Sequence, residues 1–329
     1  MTVLVTGGLG YVGSHAVKKL VERGEDVICL DNLIYGHKQA ACGSRVVLGD
    51  IGDREVLRDV LDSRTIDTVM HFAAFAAVGE SVEQPGRYYD NNLSRALVLL
   101  ECAIDAGVKQ FIFSSTAAVF GEPSYTPIDE NHPKSPTNPY GASKLMLERV
   151  LADYQRAYGM RSISLRYFNA AGADPSGKIG EDHRPEHHLI PLVFAAAMGK
   201  RKDIKVFGTD WPTPDGTCVR DYVHVNDLAQ AHLRALDALR NGKQTDCYNL
   251  GNGSGYSVRE VINTVEQVSG LPVTCLQSER RAGDPAVLVA SSGKISRELG
   301  WKPEFPELTR IVETAWNWHR NHPDGFDEE

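Results

Sequence analysis

Through the first half of the chain, short apolar runs rich in β-branched residues alternate with longer stretches whose apolar positions recur every three or four residues. VLVTG at 3–7, DVICLD at 26–31, RVVLGD at 45–50, TVMHFA at 68–73, QFIFSS at 110–115 and RSISLRYFN at 161–169 read as strands, while 13–23, 55–63, 92–107 and 140–158 read as amphipathic helices. Parallel neighbours need a crossover of helical length, and each intervening stretch supplies one. The pattern therefore predicts an α/β fold: a doubly wound parallel sheet of about six or seven strands, with helices on both faces. After Asn169 the texture changes to Gly, Pro and charge over 169–187, and the alternation stops. The segment 220–240 and a strand-like CYNLG at 247–251 then restore a regular pattern. The expected division is 1–169 with a return at 220–251 for the sheet domain, and 170–219 with 252–329 for a smaller mixed α/β domain. The closing DGFDEE reads as a frayed tail.

Composition removes several classes without changing this picture. Hydrophobic residues at 42% and charged residues at 24% are ordinary for a globular chain of 329 residues, which excludes coiled-coil, collagen-like and disordered readings. The 35 basic and 43 acidic residues leave a net charge of −8, so no general basic surface for nucleic acid or anionic lipid is expected. An anionic ligand must then be held by local positive groups. The 6 cysteines form no CxxC pair and read as reduced thiols. No apolar run is long enough to span a bilayer, and the chain opens on a strand rather than a signal segment, so a cytoplasmic protein without a membrane partner is expected.

Candidate chemistry sits at the ends of these elements. TGGLGYVGS at 6–14 follows a strand and opens a helix, with Gly7, Gly10 and Gly13 spaced for a tight turn, close approach of backbone N–H groups to a pyrophosphate, and close strand–helix packing. Asp31 ends the second strand, where a carboxylate accepts from an adenosine ribose and repels a 2′-phosphate, favouring NAD over NADP. Asp50, ending the third, is placed for the adenine amino group. In NPYGASK at 138–144, Asn138 caps a helix that Pro139 starts, and Tyr140 and Lys144 fall one turn apart on one face. A free phenol titrates near about 10, and an adjacent ammonium with the helix N-terminus would favour its ionised form. SSTAAV at 114–119 puts three hydroxyls at a strand's C-terminal end, of which Thr116 is the one assigned to bridge substrate and tyrosine.

Taken together, TGGLGYVG, Asp31, HFAA at 71–74, SSTAAV, YGASK and RYFNAAGADPSG at 166–177 resemble the extended short-chain dehydrogenase/reductase family. NPYGASKLMLE, GEDHRPEHHLIP at 180–191, GTCVRDYVHVNDLA at 216–229, YNLGNGSGYS at 248–257 and RRAGDPA at 280–286 narrow the resemblance to its UDP-hexose 4-epimerases, over nearly the whole chain. The resemblance implies an NAD-dependent isomerase and a homodimer that interconverts UDP-glucose and UDP-galactose through a 4-keto sugar. In it Tyr140 is the acid/base, Thr116 assists it, and Lys144 holds the nicotinamide ribose and depresses the tyrosine pKa. It further implies cofactor contacts from Tyr11, Val12, Asn32, Leu33, Ile34, Tyr35, Gly36, Ile51, Phe72, Ala73, Ala74, Phe75, Ala76, Asn91 and Phe168. The UDP-sugar would meet Asn169, His188, Leu189, the uracil-facing run Lys205, Val206 and Phe207, then Arg220, the segment Arg281 to Asp284, and Leu288.

Three positions depart from the family pattern: Ala76 stands where some relatives carry Lys, His188 where they carry Asn, and Leu288 where they carry Tyr. The first removes a cation near the cofactor. The third leaves space at the sugar's C2′ substituent, so UDP-N-acetylhexosamines, like UDP-pentoses, stay open as substrates. A 4,6-dehydratase needs an acidic pair after the active-site Thr, and Ala117, Ala118, Val119 and Phe120 follow Thr116 instead. A non-catalytic NAD sensor would be expected to have lost Tyr140 or Lys144. No metal site is expected: His183, His187 and His188 crowd one loop without HExxH or cysteines, and read as solvated or cleft-lining.

Overall fold

The β-branched runs become the strands of one sheet. In the computed structural model, which describes residues 1–281 and 284–326, these are β1 (Thr2–Thr6), β2 (Asp26–Asp31), β3 (Arg45–Leu48), β4 (Ile66–His71), β5 (Gln110–Thr116), β6 (Arg161–Tyr167) and β7 (Asp246–Leu250). They pair in the order β7-β6-β5-β4-β1-β2-β3, all parallel. Strand order reverses beside β1, and the crevice beyond the carboxyl ends of β1 and β4 is where such sheets take ligands.

The crossovers are α1 (Tyr11–Glu22), α2 (Arg54–Asp62), α3 (Arg95–Asp105), α4 (Pro139–Tyr158) and α5 (Val225–Arg240). Alternation along each strand feeds two cores: Val3 and Val5 pack with α1 and α5 on one face, and Leu4 packs with α2, α3 and α4 on the other. Two expected spans differ. The helix expected over 92–107 opens with a π-helical turn, Asp90–Ser94, before α3. The strand ending at Asn169 stops at Tyr167, and Asn169–Ala171 pairs instead with Tyr222–His224. For that reason 220–224 is extended, and α5 begins only at Val225, where His224 accepts the Asn226 N–H as its cap.

The remaining chain packs a third core from the helices Leu189–Ala197, Val258–Ser269 and Leu308–Asn321. Two small sheets edge it, one joining Ile204–Phe207 to Cys275–Ser278, the other placing Val219–Arg220 between Tyr256–Ser257 and Val287–Leu288. The tail is not frayed as far as Phe326, whose ring lies 4.7 Å from Trp318 and whose N–H donates to Asp182. The rest of it, 327–329, lies outside the described residues. Among the described residues no helix is long and apolar enough to cross a membrane.

Candidate active site

At the end of β1, Gly7 adopts φ +70°, and a Cβ there would stand 2.5 Å from the Ala73 nitrogen. A Cβ on Gly13 would stand 2.1 Å from the Gly7 carbonyl oxygen. Only glycine fits both places, and together they draw the start of α1 down onto the crevice. Gly10 caps α1 without any side-chain bond, so the positive end of the helix is left for an incoming anion. Val12 packs on the core below, while the Tyr11 phenol donates to the Gly172 carbonyl at 2.6 Å, tying α1 to the chain after β6.

Asp31 sits beside this turn, accepting from the N–H groups of Leu9 at 3.0 Å and Leu33 at 2.9 Å. Burial raises its pKa against the pull of those bonds. Gly36 closes on the same carboxylate, since a Cβ there would meet Oδ1 at 2.7 Å. Asp50 accepts from Asn32 at 2.9 Å, Arg95 at 2.8 Å and the Gly52 N–H at 2.8 Å. Burial pushes this carboxyl up, but its three donors prevail and hold it below the usual range. Ile51 points into a sheet core, so only its backbone faces the crevice. On the opposite rim the N–H groups of Phe72 and Ala73 both donate to the Thr6 carbonyl, followed by half-buried Ala74 and exposed Ala76. Asn92, whose amide also receives Asn91, brackets Phe75 with bonds of 2.9 Å to its N–H and 2.9 Å to its carbonyl. The Phe75 ring meets Tyr35 edge-on at 5.8 Å, joining the two rims next to exposed Ile34. These residues fit a dinucleotide, with a glycine cradle for the diphosphate and a carboxylate for the ribose.

The three hydroxyls at the end of β5 turn three ways. Ser114 shares a hydrogen bond with Tyr167. Ser115 donates to Glu148 at 2.6 Å. Thr116 receives the Ala118 N–H at 3.1 Å, and its hydroxyl is near enough to lower the Tyr140 pKa. Asn138 caps α4 by accepting from Gly141 at 2.9 Å, which fixes Tyr140 at its first turn. Lys144, 3% exposed, donates to the Ser114 carbonyl at 2.8 Å. Burial pushes its pKa down to about 7, against the Glu148 charge. The expected depression of the tyrosine pKa is not what the chain's own groups produce. Burial holds Tyr140 above its ordinary value, and the Thr116 hydroxyl is the group that lowers it. Beneath this set, Glu148 and Arg166 form a buried two-pronged pair at 2.8 and 2.5 Å. Sequence reading missed it, although Tyr140, Lys144 and Glu148 already form an i, i+4, i+8 ladder.

The second lobe brings some of its expected residues to the same crevice and turns others away. Phe168 and Leu288 pack around Val119, Phe120 and Ile128, directly after Thr116. The Asn169 amide donates to the Asp221 carbonyl at 2.9 Å. Arg220 bonds the Pro285 carbonyl at 2.9 Å and lies 3.8 Å from Asp284. The Arg281 guanidinium stacks over Phe207 at 4.4 Å. Of the run 205–207, Val206 is buried in the lobe's core while Lys205 and Phe207 take the other face, as alternation in a strand requires. Leu189 also packs against that core. Ala282 and Gly283, within the expected Arg281–Asp284 segment, lie outside the described residues. His183 and His188 are not unpartnered loop histidines: both contact Glu181 and Glu186, His183 half-buried and His188 exposed like its neighbour His187.

A dinucleotide cradle opposite a Tyr-Lys helix defines a class, and the model of the NAD dependent epimerase/dehydratase family matches residues 3–251. The chain belongs to that family. It is similar to the UDP-glucose 4-epimerase of Halalkalibacterium halodurans, 52% identical over 100% of this chain and 98% of the relative. A crystal structure of a UDP-glucose 4-epimerase superposes with a TM-score of 0.98 at 50% identity, covering 100% of both chains. The Bifidobacterium longum UDP-glucose 4-epimerase, crystallised with NAD+ and UDP, superposes with a TM-score of 0.94 at 41% identity, over 99% of this chain and 100% of that one.

Proposed function

We propose that the protein is an NAD-dependent UDP-glucose 4-epimerase, interconverting UDP-glucose and UDP-galactose through a 4-keto sugar. The single observation that carries this reading is the placing of Tyr140 in the first turn of α4 by the Asn138 cap, one turn before a buried Lys144 whose ammonium lies 5.9 Å from its ring. NAD, held by the turn from Gly7 to Gly13 and by Asp31, supplies a hydride acceptor for C4′ and then the donor that returns it. Tyr140 takes the proton of the 4′-hydroxyl as C4′ is oxidised, and gives it back when the opposite face is reduced. Thr116 donates to the phenolate oxygen in between. Lys144, fixed through the Ser114 carbonyl, holds the nicotinamide ribose. Arg220 and Arg281 supply the positive groups that a diphosphate needs in a chain of net charge −8. With no acidic pair after Thr116, nothing eliminates water from the keto sugar.

The same reading includes a cytoplasmic homodimer paired through α3 and α4, on which Met146 leaves an apolar side chain 45% exposed. It extends to UDP-N-acetylhexosamines, because Leu288 beside Phe168 takes less room at C2′ than the Tyr of some relatives. The test of the chemistry is an isotope: UDP-galactose deuterated at C4′ should give UDP-glucose that keeps the label. Loss of deuterium to water would overturn hydride return.

A further inference from the structure

Four side chains of a single loop, Glu181, His183, Glu186 and His188, bring their donor atoms within 4.8 Å of one another. His188 Nδ1 lies 2.8 Å from Glu181 Oε1 and 2.9 Å from Glu186 Oε1. His183 Nδ1 lies 3.3 Å from Glu181 Oε1 and 3.5 Å from Glu186 Oε2. Zinc–ligand bonds of about 2.0–2.2 Å in a tetrahedron place neighbouring donors about 3.3–3.6 Å apart, so the cluster needs only a slight opening to enclose an ion. Glu181 Oε1 and His183 Nδ1 are both buried, and among the described residues their contacts are these ion-pair approaches rather than well-aligned hydrogen bonds. The Glu181 side chain is only 4% exposed. Both atoms are thus aimed into the cluster, with donor and acceptor capacity that its internal contacts use imperfectly. Glu186 is already oriented as a ligand: its Oε1 takes the N–H groups of His187 at 2.6 Å and His188 at 2.7 Å, which leaves Oε2 facing His183.

We propose that Glu181, His183, Glu186 and His188 form a binding site for one divalent transition ion, zinc by donor type, that holds this loop in the shape in which it packs on the cofactor domain. Two imidazole nitrogens and two carboxylate oxygens suit zinc rather than magnesium or calcium, which prefer all-oxygen shells. The position makes the ion a clamp. The Tyr11 ring, at the start of α1, lies 6.0 Å from His183, and His188 caps the helix Leu189–Ala197 of the second lobe. Four ligands of one loop close its shell, so the ion fastens structure and leaves the hydride chemistry to the NAD site.

The test uses the NAD-loaded protein, freed of metal with a chelator and titrated with zinc alone against a chromophoric zinc indicator. One equivalent should bind with micromolar or tighter affinity and raise the unfolding temperature. His183→Ala and Glu186→Gln should each weaken binding at least tenfold, while His187→Ala, in the same loop, should not. Cobalt in place of zinc should show the strong visible absorption of a four-coordinate site without a thiolate charge-transfer band, which separates this cluster from cysteine binding. Two outcomes overturn the proposal. One is binding only at millimolar zinc, the behaviour of imidazolium–carboxylate ion pairs that take up no ion; the other is tight binding that survives His183→Ala in a variant whose circular dichroism shows it folded.

Discussion

Lys144 stands one helical turn after Tyr140, its ammonium 5.9 Å from the tyrosine ring centroid, yet it donates to the carbonyl of Ser114 at 2.8 Å. The lysine is thus aimed at the floor of the crevice, and of the chain's own groups it is Thr116 that lowers the Tyr140 pKa, against the burial that raises it. In the proposed mechanism this separates the two residues' duties: Tyr140 moves the proton, and Lys144 positions what lies beside it. A positioned acid/base contributes about 10²- to 10⁴-fold, so Tyr140→Phe should lose roughly that much turnover while NAD, released by denaturation and measured by its absorbance, stays at the wild-type amount. Unchanged turnover would remove the assignment.

Beneath the site, the Glu148 and Arg166 side chains are 8% and 3% exposed and pair through two bonds. Glu148→Ala strands a buried guanidinium, and breaking such a pair costs about 3–5 kcal/mol. Urea unfolding should show a loss of that size. A change under about 1 kcal/mol, the worth of an exposed pair, would mean that solvent reaches Arg166.

In the proposed reading, selectivity at C2′ turns on Leu288, which packs in one cluster with Phe168 and Ala117. Leu288→Tyr should lower kcat/KM for UDP-N-acetylglucosamine by about 10- to 200-fold, the range that bulk in an apolar pocket commands, and leave UDP-glucose within a few-fold. Equal losses on both substrates would place Leu288 outside the specificity pocket.

Asp221 accepts three backbone N–H bonds, from Asn252, Gly253 and Ala290, yet burial raises its pKa from 3.8 to about 6. The folded state therefore binds more protons than the unfolded state between those values, and this group's contribution to stability falls as pH rises through the window. Asp221→Asn removes that dependence. The stability gap between wild type and variant, read from urea midpoints, should be wider near pH 4 than near pH 7. A gap that widens with rising pH would contradict the raised pKa.

Most of the sheet is legible along the chain, because residues such as Val3, Leu4 and Val5 must be apolar on both faces of a parallel strand and so form unbroken runs. The glycine turn and the Tyr140–Lys144 pair are equally plain, since each is a short local pattern with its own chemistry. What escapes is set by partners far away in sequence. Asn92 looks like any polar residue near a helix start until Phe75 folds back onto it. Asn169–Ala171 becomes a separate strand only because Tyr222–His224 comes alongside. His187 and His188 are exposed as their loop suggests, but the ion pairs of His183 and His188 with Glu181 and Glu186 depend on a Glu181 buried beneath them, which no local pattern announces. Val206 faces the core rather than the crevice for the simple reason that its neighbours on the strand face the other way.

The central claim is the interconversion itself, and the most direct measurement mixes the purified protein with UDP-galactose, without added NAD, and follows the sugar protons by NMR. The account predicts that UDP-glucose appears and that both epimers settle to one ratio, whichever is supplied first. No conversion of either sugar, even after NAD is added, would contradict it.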